Sequence, residues 1–364
     1  MDYLFLLLII PICWPIIAKR IFNNTISYKE MGIQILFTTI IVVIIFFAGR
    51  YSQTADTEIW NGQLTGKERT HGTYLKSYQC NCRTSCSGSG SSRSCSTTCQ
   101  TCYKRHYTVT WSLYSSIGDY QVDHLDSTSS YVYNEPNPPL YVNAKKGEAC
   151  SKTVSYTNYV QAVPQSLFHE DANLVYTYKD KIPHYPTVYN LYKINRVLNV
   201  GSKISLEERN LLNTKLNDSL RILGPKKQAN IIVILTNIKD TSYRYAVENG
   251  WQGGEKNDIV IFLGLEGKQI IWSDVMTWAL NRGNEMFHVE MRNGLLDIGT
   301  FDVDKLVPFI EKTILSKYDR PHMADFKVLE DEIDPPTWVL IMAFVVQILM
   351  SVGLTFYFHR NEVI

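Results

Sequence analysis

CNCRTSCSGSGSSRSCSTTCQTC, residues 80–102, carries six of the eight cysteines of this chain. Its centre, SGSGSS, has the composition of a flexible turn and not of a core. Downstream, TVTWSLY (108–114) puts Val109, Trp111 and Leu113 on one face, the period of a half-buried strand. Upstream, GTYLKSY (72–78) is its natural partner. Folded as a hairpin, Cys86–Cys95 and Cys82–Cys99 share one midpoint, and that of Cys80–Cys102 lies half a position further on. The three pairs would nest like ladder rungs, with a bulge absorbing the one-residue offset of the last. Nesting is one of several connectivities that six cysteines allow. The same spacings, CxC, CxxxC and CxxC with His71 and His106 nearby, also suit zinc, with Cys80, Cys82, Cys99 and Cys102 as ligands. Cys150 has no partner in the nested scheme; it is free, intermolecular, or evidence against the nesting. Cys13 lies in an apolar segment.

Working outward, the polar hairpin is flanked by three apolar stretches. WVLIMAFVVQILMSVGLTFYF (338–358) is long enough to cross a bilayer, and Trp338, Tyr357 and Phe358 sit where aromatic rings prefer the interface. Asp334-Pro335-Pro336 ends any helix before it. MGIQILFTTIIVVIIFFAG (31–49) is a second span, with Gln34, Thr38 and Thr39 as its interior polar groups. YLFLLLIIPICWPIIA (3–18) is shorter and holds Pro11 and Pro15. A cleaved signal peptide would want a basic start, yet Asp2 precedes the first positive residue, Lys19, so a kinked or re-entrant membrane helix is expected. Lys19, Arg20 and Lys29 separate the first two spans, and His359 and Arg360 follow the last. The positive-inside rule then places residues about 50–335 outside the cytoplasm, with Arg50 as the exception.

The bulk composition hides this division. The 364 residues are 45% hydrophobic and 20% charged with a net charge of +1, which gives no electrostatic reason to expect nucleic acid. Cysteines exposed to an oxidising compartment should pair, in keeping with an external hairpin.

From about residue 170 helical and buried-strand patterns alternate. SLEERNLLNTKLNDSLRILGP opens with a capping box at Ser205 and Glu208 and repeats Leu212, Leu216, Leu220 and Leu223. ANIIVILT reads as a strand buried on both faces. YRYAVEN is a short helix, DIVIFL and QIIW are strands around a Gly264–Gly267 turn, and FDVDKLVPFIEKTILSKY is a helix in which Pro308 is tolerable only near the first turn. The order implies one sheet with helices packed on it. The most site-like segment is GWQGGEKND (250–258). Trp251, Gly253, Gly254, Glu255 and Asp258, with Asp274, could form a ligand or metal loop for Ca or Mg; the plain alternative is a glycine-rich connection. His169-Glu170-Asp171 and His184 lack metal spacing, and the sequon at Asn217 falls within a helix. No nucleophile elbow, P-loop or HExxH occurs, so no catalytic residue is assigned.

Two resemblances follow from these residues. SLEERNLLNTKLNDSL…ANIIVILT…YRYAVENGWQGGEKNDIVIFLGLEGKQIIW resembles a TPM domain, the thylakoid-acid-phosphatase type of α/β module, over roughly 200–330. That likeness implies membrane tethering outside the cytoplasm and, in some such domains, phosphatase activity with acidic residues holding a divalent metal. DTEIWNG, SYQCNCRTSCSGSG, CQTCY, SYTNYVQAVPQSLF and the C-terminal span together resemble an uncharacterised family of tailed-bacteriophage membrane proteins. That likeness implies a place in the host envelope, at the inner membrane, during infection.

The expectation is therefore an α+β membrane protein with about three transmembrane helices: two membrane segments (1–50), a β-rich cysteine-hairpin lobe (51–168), an α/β TPM-like lobe (169–333), and a final span with a short tail (334–364). Its partners would be the lipid bilayer and an envelope protein, with no cofactor assigned. The expected role is non-enzymatic binding, with a metal-dependent phosphohydrolase and a cytoplasm-facing zinc module as alternatives.

Overall fold

The computed structural model describes residues 2–22, 26–87, 94–163, 172–277, 284–320 and 322–361. Helices α1 (Asp2–Ile21) and α2 (Tyr28–Ser52) open the chain, and α10 (Thr337–Asn361) closes it; all three are long and apolar enough to cross a membrane. Leu7, Val42, Phe46 and Ala343 make their shared apolar contact. Between them Gln34 Nε2 donates to Ser351 O at 2.8 Å and to Thr355 Oγ1 at 3.1 Å, and Trp14 Nε1 donates to the same hydroxyl at 3.0 Å. Hydrogen bonding of this kind is how polar side chains join apolar helices. A Cβ on Gly49 would come within 2.6 Å of Val339, so α2 and α10 touch closely where the lobes begin. At the opposite end Phe22 packs on Phe356 and His359. The basic residues of the α1–α2 loop and of the α10 terminus therefore share one end. Arg50 lies at the other, buried, donating to Glu330 O and 3.8 Å from Asp331. Its position follows from a contact with the lobes.

Directly after α2 comes β1 (Ala55–Ser87), which pairs antiparallel with β2 (Ser94–Ser115); β2 pairs with β3 (Tyr120–Ser127), and the lower part of β1 with β4 (Ala149–Thr157). The sheet order is β3-β2-β1-β4, all antiparallel. Val109, Trp111 and Leu113 are fully buried, as their alternation predicts, under Val132 and Tyr141 and against Leu64 and Tyr120. Short helices α3 (Pro139–Asn143), α4 (Tyr159–Ala162) and α5 (Ala172–Thr177) lead out of this lobe.

The second sheet has the order β5-β6-β7-β8, from β5 (Val197–Val200), β6 (Asn230–Thr236), β7 (Asp258–Glu266) and β8 (Gln269–Met276). The first three strands are parallel and the last is antiparallel. Helix α6 (Leu206–Lys227) joins β5 to β6, α7 (Tyr243–Gly250) joins β6 to β7, and α8 (Asn284–Ile298) and α9 (Val303–Lys317) follow β8. One face of the sheet, with Ile231, Val233, Ile259 and Ile261, packs on α6, α8 and α9; the other, with Ile232, Ile234 and Phe262, packs on α7. Strands added in one direction with crossover helices on opposite faces require crossovers of opposite hand, so one departs from the near-universal right-handed connection.

One expectation changes, and the structure adds detail to others. Gly264 lies within β7 and not in the turn, because the Trp272 indole covers it: a Cβ there would fall 2.0 Å from Trp272 Nε1. Pro308 sits in the second turn of α9, leaving the exposed Asp304 carbonyl to solvent instead of an intrahelical donor. Helix α8 and strand β5 were not anticipated. There is also no clean linker between lobes: Tyr178 and Tyr185 pack on the second sheet, whereas Tyr192 belongs to the core of the first.

Candidate functional site

The 250–258 loop folds for local reasons first. Gln252, Gly253 and Gly254 all take positive φ (52°, 84° and 69°), reversing the chain after α7. A Cβ at Gly254 would lie 2.9 Å from Asp258 Oδ2, so the glycine lets the backbone close over that carboxylate. Trp251 turns away, its Nε1 donating to Pro183 O at 2.8 Å and its ring lying edge-on to Tyr185.

Asp258, fully buried at the start of β7, has both oxygens engaged. Tyr185 donates its hydroxyl at 2.8 Å, Asn230 Nδ2 donates at 2.7 Å, and the Glu255 amide at 2.8 Å. Burial pushes its carboxyl up to about 6 against these hydrogen bonds. Burial, with Asp258 and Asp56 adding to it, pushes Glu255 up to about 9, so it carries a proton at neutral pH. Thr57 Oγ1 donates to Glu255 Oε1 at 3.2 Å, while Oε2 is buried without a hydrogen-bond partner. Asp56 accepts from Tyr156 and Asn158. Glu58, 1% exposed, accepts from Trp60 Nε1 and from Arg320, with Lys256 Nζ at 3.8 Å. The loop of the second lobe thus rests on the first residues of β1.

Arg196 is the hub of this junction. Completely buried, it donates to Asn217 Oδ1 at 2.7 Å and Ser151 Oγ at 2.8 Å, and also to Asn61 and Asn230. Burial lowers its guanidinium to about 9. The sequon amide of Asn217 is therefore committed to the interior. Beside the junction lies an open cleft of about 520 Å³, lined by Asp56, His184, Tyr185, Trp251, Gln252 and Glu255 among others.

The structure brings Trp251, Gly254, Glu255 and Asp258 together, with Gly253 in the same reversal. It does not bring Asp274, which pairs opposite Phe262 further along the sheet and lies 3.9 Å from Arg244. His184 reaches the cleft; His169, Glu170 and Asp171 fall outside the described residues. Sequence reasoning missed Asp56, Glu58, Tyr185, Arg196 and Asn230, which lie in four separate segments with no motif spacing. Among the described residues no group of three or more His, Cys, Asp or Glu side chains is arranged for a metal ion.

The second candidate is the hairpin. Cys80–Cys102, Cys82–Cys99 and Cys86–Cys95 are joined as disulfides, so the four cysteines of the zinc alternative are bonded to each other. The offset is absorbed where expected: pairing slips between Cys80 and Arg83, with Asn81 at φ 47°. His71 stacks on Tyr133 and His106 Nδ1 pairs with Asp126 at 2.7 Å, both engaged away from the cysteines. Cys13 and Cys150 are free thiols, Cys150 buried within β4. The hairpin turn itself, residues 88–93, lies outside the described residues. Beyond Thr73 and Tyr107 the third strand stops, and two strands continue alone for about 45 Å. Neither strand has a buried residue there, and Leu75, Tyr78 and Tyr103 are 60%, 51% and 65% exposed.

Compared with protein-family models, curated proteins and solved structures, the chain matches none.

Proposed function

We propose that the chain is a multi-pass envelope protein, anchored in the host inner membrane during tailed-phage infection, whose external lobes act by binding and not by catalysis. The observation that carries this is the ribbon. A two-stranded hairpin in water is marginal by itself, yet this one is cross-linked by three disulfides and, among the described residues, buries no side chain along its outer length. Bracing without burial is what a presented surface requires. The basic residues gathered at one membrane end support an external ribbon, as does the oxidised state of its cysteines. The resemblances support the setting in a phage-infected envelope.

A photo-crosslinking side chain at Tyr103 of the full chain in bacterial membranes should give a covalent adduct with protein or lipid, and one at the exposed Lys203 should not. No adduct of any kind from Tyr103 would sink the binding reading. So would phosphoester hydrolysis by the purified chain that is lost in Asp258→Ala.

The second reading, a metal-dependent phosphohydrolase, is favoured by one observation: Asp56 and Glu255 line the cleft, and the buried Glu58 and Asp258 are close enough to act on the charge of Glu255. The occupied oxygens of Asp258 and the protonated state of Glu255 weigh against it. Calcium or magnesium binding by calorimetry decides between the two.

A further inference from the structure

The ribbon has a charge as well as a shape. From Thr73 to Ser87 and from Ser94 to His106 the chain contains Lys76, Arg83, Lys104 and Arg105 and not one Asp or Glu, although its formal net charge is only +1. All four cations are exposed, and none has a salt-bridge partner among the described residues. Lys76 and Lys104 are register partners across the two strands. Like charges directly opposite destabilise a β-ladder, a cost that an anion lying between them removes. At the base, Asp126 accepts from Tyr74 at 2.5 Å, lies 2.7 Å from His106 Nδ1, and also feels the charge of Lys76, leaving Lys104 across the ladder without a carboxylate partner among the described salt bridges.

The cations alternate with exposed apolar groups. Side chains alternate along a strand, so Lys76, Tyr78 and Lys104 share one face of the ribbon, and Leu75, Tyr103 and Arg105 lie on the other. Tyrosines with Lys and Arg are the residues that settle at a bilayer interface, rings among headgroups and cations on phosphates. Three helices long and apolar enough to cross a membrane fit a chain that works beside lipid headgroups.

We infer that the outer ribbon, through Lys76, Tyr78 and Lys104 on one of its faces, docks on the phosphate headgroups of an anionic lipid surface. The inference rests on the binding reading above and names its partner. Docking is electrostatic at first contact, weakens as salt rises, and is completed by Tyr78.

The full chain reconstituted in phosphatidylcholine nanodiscs, where its own bilayer offers no anionic lipid, is mixed with separate vesicles and floated. Vesicles containing phosphatidylglycerol should carry the discs upward, and pure phosphatidylcholine vesicles should not. Each basic residue near the surface accounts for about a fivefold change in affinity, so the double substitution Lys76→Glu/Lys104→Glu should lower binding at least about 25-fold. Lys203→Glu, on the other lobe, should leave it unchanged, and Tyr78→Ser should weaken it while keeping the salt dependence. Equal flotation with neutral and anionic vesicles, or undiminished binding by the double-glutamate variant, overturns the proposal. Capture by soluble DNA or an acidic protein in place of vesicles also overturns it. In that outcome the crosslinking at Tyr103 still tests the binding reading separately.

Discussion

From Thr73 to Ser87 no residue of β1 is buried, whereas in β7 every residue from Asp258 to Leu265 is. The two strands belong to one chain and are stabilised by different physics. β7 is held by the apolar groups on both its faces, removed from water at roughly 25 cal/mol per Å². The outer part of β1 has no such contribution, and its pairing is held by ladder hydrogen bonds and by covalent links that narrow the unfolded ensemble. The contrast teaches that the second lobe is built to persist and the ribbon to be presented. It also predicts that each will fail under a treatment the other tolerates.

The largest expected effect is in the second lobe. Phe262→Ala removes a ring packed among Ile232, Ile234, Tyr243 and Trp272 and should cost about 3–5 kcal/mol. Thermal unfolding in detergent should show it, while the protease resistance of the ribbon stays as it was. If both change together, the comparison fails.

Next comes Cys80→Ser/Cys102→Ser. Opening a cross-link of 22 residues' separation should cost about 3 kcal/mol, felt only by the ribbon. Rapid cleavage near Tyr78 and Tyr103 with an unmoved lobe transition is the expected pattern. A lowered main transition would mean that the ribbon contributes to the lobe's stability.

The smallest effect is at the junction, through pH. Glu255 is pushed up to about 9 from an ordinary 4.5. A carboxyl whose folded pKa is raised binds its proton more tightly when folded, so its contribution is present at low pH. That contribution is lost as pH rises from the unfolded value through about 9. Asp258, raised from 3.8 to about 6, acts with the same sign over the lower part of that range. The melting temperature should therefore fall as pH rises between about 5 and 9, and Glu255→Gln, which keeps the carboxyl's shape without its charge, should flatten the upper part of the slope. A slope unchanged in the glutamine variant would show that Glu255 is solvated and ionised in the folded chain.

Much of this architecture was legible beforehand. The apolar spans, the alternation of Val109, Trp111 and Leu113, the capping box at Ser205 and the symmetric placing of six cysteines are local patterns. Local patterns report directly on helix, strand and turn because they depend on neighbours a few residues away. The candidate junction was legible only in half: the glycines and carboxylates of 250–258 stand out by composition, but their partners do not.

Sequence by itself determined the three apolar helices and most of the other elements, and it offered the nested cysteine pairing as one arrangement among several, since each rests on periodicity or spacing. Tertiary structure alone decided that β1 would leave its sheet and run on as a bare ribbon, and that Asp274 would point to Arg244 and not to the loop. It also decided that Arg196 would sit fully buried where both lobes meet Asn61, Ser151, Asn217 and Asn230. Those outcomes depend on contacts between residues far apart in the chain. Such contacts are chosen by which arrangement buries the apolar faces while leaving the buried polar groups partnered, and no local spacing records that choice.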